Sequence, residues 1–208
     1  HKWRERFARR LVGEATNRQV VIFTHDLVFL MDLLDISKKQ GVECGTQCLR
    51  RAGESTGKVL DGLPWGGMTV NKRIGVLRKK WQLAEKTCRT VDEAAYEPMA
   101  RDLYGALRET WERAIEEVLF NDVVQRLRRG VETQRLRQLA GGITDEDCRV
   151  VDDNMTLCSR YLRGHDHAPE INEPLPNPDL LKAHIDNLEN WVAAVRTRRQ
   201  PPAPTRAT

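Results

Sequence analysis

Residues 18 to 30 read RQVVIFTHDLVFL, and this stretch decides the fold of the first part of the chain. Gln19 to Phe23 is a short run of β-branched and aromatic residues that ends in Thr24-His25-Asp26, and an apolar segment follows at once. That order predicts a buried strand delivering a histidine to its carboxyl end, where α/β sheets present their chemistry. Upstream, HKWRERFARRLVGEATN (residues 1 to 17) predicts an amphipathic helix with Trp3, Phe7, Leu11 and Val12 on one side. Downstream, Leu27, Leu30, Met31, Leu33 and Leu34 recur at helical spacing as far as Gln40, and Gly41 closes the helix. Val42, Cys44, Thr46 and Cys48 then alternate with polar neighbours, a turn from Gly53 to Lys58 follows, and the chain returns through Val59 and Leu60. A β-hairpin is expected there. Leu63-Pro64-Trp65-Gly66-Gly67 breaks the pattern and sets a domain boundary, giving domains 1–65 and 66–200 with a disordered tail at 201–208.

From Thr69 onward the period is helical. Val70, Ile74, Leu77, Trp81, Ala84 and Cys88 define one long amphipathic helix. A second is expected from about Pro98, through Leu103, Leu107, Trp111, Ile115, Val118 and Leu119, running into Val123-Val124-Leu127 and weakening at Gly130. A short helix over 133–140 precedes Gly141-Gly142. Thr144 with Asp147 resembles a capping arrangement that opens a helix through Val151, Met155, Cys158 and Leu162. Asn177-Pro178 is a helix entry, followed by the stripe Leu181, His184, Leu188, Trp191 and Val195. The expected fold class is α+β and predominantly helical, with a bundle of four or five helices as its second part.

Composition narrows the function classes. The 208 residues include 40% hydrophobic ones, enough to bury a core in one or two small domains. Lys plus Arg exceed Asp plus Glu by 34 to 30, so net charge alone does not announce a nucleic-acid binder. Arginines crowd 126–137 and the C-terminus, where they could meet phosphates or form solvated helix faces. Five irregularly spaced cysteines argue against a disulfide framework and for a reducing compartment, and Cys44 and Cys48 have no second metal-like pair. No stretch approaches the roughly 20 apolar residues of a membrane span. A cytoplasmic protein without a membrane partner or a metal site is expected.

Residues 1 to 60 resemble the carboxyl lobe of ABC-type ATPases of the SMC class (AAA family). The first helix is similar to the one after the D-loop, and RQVVIFTHDLVFL is similar to the last core strand with its switch histidine. The resemblance implies that His25 reaches the γ-phosphate of a bound nucleotide, with Thr24 and Asp26 shaping the turn; the alternative is a histidine that merely caps the following helix. It also implies that the chain begins in mid-domain, that ATP and Mg belong to the full-length protein with no cofactor for this part alone, and that two intact copies pair head to head around two nucleotides. The Gly-rich phosphate loop, the signature segment and the metal-holding Asp with its Glu are not in this sequence. Gly53-Glu54-Ser55-Thr56-Gly57-Lys58 is one residue short of the phosphate-loop spacing, and Val59 stands where a metal-binding Ser or Thr belongs. Taken alone, the chain is expected not to hydrolyse ATP.

The helical part carries a second constellation. Arg128 and Glu132 stand four apart, on one face if the helix continues through Gly130, and Ser159 to His167 (SRYLRGHDH) form a polar cluster where a helix should end. Arginine, glutamate and histidine are the parts needed to cut RNA without a metal, by moving the 2′-hydroxyl proton and neutralising the phosphorane charge. The arrangement resembles the anticodon nucleases of the PrrC and RloC type, found in bacterial anti-phage systems, in which an ABC-like ATPase precedes a helical HEPN ribonuclease domain. That resemblance implies a triad of Arg128, Glu132 and His165 acting on tRNA or other RNA, with Arg160 paired to His165 or His167 as a looser HEPN match. The same residues also fit an exposed ion pair and a basic helix C-cap. The helical part is then a non-catalytic module for a partner protein or a second subunit. His184 fits the packed stripe of the last helix, and Trp65, Trp81, Trp111 and Trp191 suit core anchors.

Overall fold

A computed structural model describes residues 2–53, 55–128, 130–139, 142–162 and 175–199. The chain forms two compact units: residues 1–68 together with 126–130, and residues 69–125 together with 131–208. Helix predominates in the chain, and a two-stranded hairpin in the first unit is the one sheet among the described residues.

In the first unit, helix α1 (Lys2–Ala15) packs on helix α2 (Leu27–Gln40) through Ala8, Val12, Leu33 and Ile36. The small Ala8 lets the two backbones approach. The expected apolar side of α1 is therefore shifted: Trp3 is 78% exposed and Phe7 57%, with Phe7 stacked on Phe29 at 5.9 Å. Asp26 caps α2 by accepting from the Phe29 N–H, and Gly41 ends it at φ 67°, a left-handed conformation in which glycine meets no Cβ penalty.

Two expectations about strands are corrected. Gln19 to Phe23 is not a strand: from Gln19 to Asp26 the chain runs without turn, bend or backbone ladder, because no other strand lies beside it among the described residues. The hairpin also begins later and turns more tightly than the alternation implied. Strand β1 (Gln47–Ala52) pairs antiparallel with β2 (Ser55–Asp61) in the register Gln47↔Asp61, Leu49↔Val59 and Ala52↔Ser55. Ser55 to Lys58 belong to the return strand, since Gly53 at φ 59° reverses the chain within a shorter turn.

The second unit is a helical bundle of α3 (Val70–Thr90), α4 (Glu93–Ala114), α5 (Asp145–Arg160) and α6 (Pro178–Arg199). Trp111, Tyr104, Leu77, Leu103, Leu107, Leu181, Ile185 and Leu188 are its fully buried centre. Helix α4 starts five residues before Pro98, under an Asp92 cap that accepts from the Ala95 N–H at 2.6 Å. Pro98, in the second turn, forfeits the bond to the Ala94 carbonyl, yet the helix continues through it.

The expected run of α4 through Val123 and Leu127 does not form. A π-turn over Ile115–Leu119 widens the last turn, and Asn121 and Asp122 follow at φ 47° and 56°. Asn and Asp are the side chains that best tolerate this left-handed region, and two in succession stop a helix. The Arg199 guanidinium of α6 donates to the freed carbonyls of Val118 and Leu119. Thr133–Gln138 forms a 3-10 helix rather than an α-helix. The Thr144/Asp147 capping box and the Asn177 cap of α6 form as the sequence implies.

Candidate functional site

His25 stands at the end of the extended Gln19–Phe23 run, and local hydrogen bonds fix the turn around it. The Asp26 N–H donates to Thr24 Oγ1 at 3.0 Å, Asp26 Oδ1 accepts from the Phe29 N–H at 3.1 Å, and Arg4 pairs with Asp26 Oδ2 at 2.7 Å. Sequence reading missed Arg4, which lies on the polar side of α1 without any motif to mark it. With its carboxylate held by a cap bond and a cation, Asp26 serves the backbone, and the His25 imidazole is left exposed between two committed neighbours.

Two cavities meet along the run, and Ile22 and Thr24 border both. Val20, Ile22 and Thr24 line a cavity of about 160 Å³ against α1, α2 and the Val42–Thr46 segment. Val21 is 68% exposed and Phe23 84%. His25 and Phe23 border a larger cleft of about 560 Å³, whose opposite wall is Gly45 to Leu49 with Gly62 and Pro64. Leu49 and Val59, opposite one another on the hairpin, are 58% and 51% exposed. A hairpin with this much open apolar surface is marginal in water by itself. The cleft therefore combines one imidazole, exposed apolar side chains and unpaired main chain, with no Lys or Arg in its lining.

The proposed ribonuclease residues are distributed differently from the single helical face that their spacing implied. Arg128 lies in the first unit, where its Nη2 meets Asp35 Oδ1 of α2 at 2.5 Å. Glu132 lies in the second unit and donates its N–H to the Val123 carbonyl at 2.9 Å. The shared face fails because none of the described residues from Phe120 to Glu132 is helical. Arg160 is the exposed last residue of α5. His165 and His167 lie outside the described residues, as do Arg163, Gly164 and the 201–208 tail.

Other chemistry-bearing groups of the bundle are engaged in its packing. His184 Nδ1 shares a hydrogen bond with Tyr104 Oη at 2.9 Å, and the Tyr104 ring lies 4.6 Å from that of Tyr161. Burial lowers the His184 pKa, raises that of Tyr104, and pushes the Cys158 thiol up to about 12. All three groups are thereby held neutral near pH 7, which suits a packed core rather than a reacting centre. Asp147 accepts from Trp191 Nε1 at 3.1 Å, Arg198 Nη2 at 2.6 Å and Thr144 Oγ1 at 2.8 Å. Burial alone would raise that carboxyl, but the bonds from Arg198 and Thr144 outweigh it and hold the pKa below the ordinary value.

Among the described residues no group of three or more His, Cys, Asp or Glu is placed to hold a metal, and no helix is long and apolar enough to cross a membrane. The chain matches no protein-family model, no curated protein and no solved structure.

Proposed function

We propose that the first unit is the switch-histidine end of an ABC/SMC-like ATPase of a bacterial defence-type system, and that the second unit is a non-catalytic helical module appended to it. The observation that carries the first part is the run Val20–Phe23, extended and rich in β-branched residues, with no main-chain pairing among the described residues and with Val21 and Phe23 exposed, ending at an exposed histidine on a cleft. Unpaired backbone beside exposed apolar side chains is the state of a sheet strand without its neighbours. The neighbouring strands would come from an ATPase half of the same protein. Intact copies would pair as a homodimer around two nucleotides.

The fit to ATP is limited to one contact. His25 would donate a hydrogen bond to the γ-phosphate, while the lining supplies no cation and the Asp26 carboxylate is engaged by Arg4. Phosphate cradling and the Mg site would therefore belong to the ATPase half, and nucleotide supplies there the phosphoryl group that is cleaved. The non-catalytic reading of the helical unit rests on the loss of the helical face that would have joined Arg128 to Glu132: Arg128 belongs to the first unit, where Asp35 holds its guanidinium, and Glu132 belongs to the second.

Two measurements test this reading. Upstream coding sequence is expected to encode a phosphate loop and signature segment, and their absence there overturns the assignment. In this chain alone the amides of Val20 to Phe23 are expected to exchange with solvent within seconds, and to become protected when the ATPase half is present. Slow exchange in the chain alone contradicts an unpaired strand.

A further inference from the structure

Helix α3 carries an uncompensated row of lysines. Lys72, Lys79 and Lys86 stand seven residues apart along its 21 residues, and Lys80 flanks the row. All four are exposed, and among the described residues none of their ammonium groups has a hydrogen-bond or ion-pair partner. The buried side of α3 is Val70, Arg73, Ile74, Leu77 and Ala84, so the helical period turns Lys72, Lys79 and Lys86 directly away from the bundle core. A seven-residue step is about 10.5 Å along a helix, which spaces the three charges evenly over roughly 21 Å.

Several other cations of the unit are paired. Arg78 meets Asp186 and Glu189, Arg89 meets Glu85, Arg101 meets Glu97, Lys182 meets Asp186, and Arg198 meets Asp147. Glu85 is the one carboxylate on α3, and Arg89 already occupies it. Helix α3 itself therefore offers its lysines no carboxylate beyond the one that Arg89 holds.

We infer that the α3 lysine ridge binds the phosphodiester backbone of a nucleic acid. Three classes of polyanion could meet such a ridge, and its other side chains select among them. Protein interfaces are depleted in lysine and built on buried aromatic or arginine anchors, and Leu83 is the single large exposed apolar side chain on this face. Membrane-surface helices insert an apolar face, and that of α3 is buried in the bundle. A polyphosphate strand needs neither anchor nor inserted face, only repeated cations that can each release a counterion. Such contacts position a nucleic acid without reading its sequence. The inference stands on the second unit alone and is independent of the ATPase assignment.

Fluorescence anisotropy of a labelled RNA duplex, and of the same sequence as single strand, titrated with the full chain over about 50 to 300 mM salt, tests it. The expected result is binding whose log affinity falls linearly with log salt with a slope of about −2 to −4, as three or four phosphate contacts require. The Lys72→Gln/Lys79→Gln/Lys86→Gln variant should lose about ten-fold or more in affinity and flatten the slope by about one per lysine. Lys38→Gln/Lys39→Gln, exposed on α2, should change neither. Unchanged thermal unfolding of both variants by circular dichroism separates loss of binding from loss of fold. Absence of binding at about 50 mM salt, a slope near zero, or equal loss in the control overturns the inference. So does stronger, lysine-dependent binding to phosphatidylserine vesicles than to RNA.

Discussion

The Arg128 guanidinium meets the Asp35 carboxylate at 2.5 Å, joining two residues that lie 93 positions apart in the chain. Both side chains are less than a third exposed, at 27% and 29%, so the pair is screened less than a surface one. Its loss, in Arg128→Ala or Asp35→Ala, is expected to cost about 1 kcal/mol each, with a coupling between them in the double variant. Chemical unfolding of the three variants measures this. Strict additivity would show that the pair is not coupled.

Because Arg128 has this role, the chain is expected not to cut tRNA in EDTA. Products ending in 2′,3′-cyclic phosphate that disappear in His165→Ala would reinstate the ribonuclease reading of the helical unit.

Trp111, fully buried on α4, packs at 5.2 Å from Trp191 of α6. Trp111→Ala should destabilise the chain by about 3 to 5 kcal/mol, since it removes a large side chain and leaves a cavity. Loss of under about 1 kcal/mol in denaturant unfolding would mean that the bundle does not close around this residue.

His184 sets an acid limit on the bundle. Its folded pKa is depressed by burial, so the native state binds fewer protons here than the unfolded chain does. The contribution is fully present above the unfolded value of about 6.5 and is lost as pH falls from there toward the folded pKa. Wild type should therefore lose stability below about pH 6.5 more steeply than His184→Gln, read by thermal unfolding at successive pH values. Asp147 adds a second loss below the ordinary carboxylate range, because its pKa is lowered in the native state. Thr144→Ala, which removes a cap and one of its hydrogen bonds, should cost about 1 kcal/mol.

The helices were legible where their signals are local. Asp26, Thr144 and Asn177 cap as their side chains imply, and Gly41 terminates α2 in the left-handed region. The errors lie where a partner decides the outcome. Gln19–Phe23 has strand composition, but a strand also needs a neighbour to receive its N–H and C=O groups. Helix α4 has an apolar period that continues into Val123 and Val124, yet Asn121, Asp122 and the reach of Arg199 end it. Trp3 looked like core by spacing, but the contact face of α1 is set by Ala8, whose small size no hydrophobic period marks. Of the candidate site, the His25 turn could be read because Thr24 and Asp26 bond to their own neighbours. The roles of Arg4 and Asp35 could not, since each meets a residue distant in sequence.

The most direct measurement is ATP turnover by the chain joined to the proposed ATPase half, beside a His25→Ala variant. The expected result is that nucleotide binding stays within a few-fold while turnover falls by about 10²-fold or more, as loss of a transition-state hydrogen bond to phosphate requires. Turnover unchanged in His25→Ala would contradict the switch-histidine assignment.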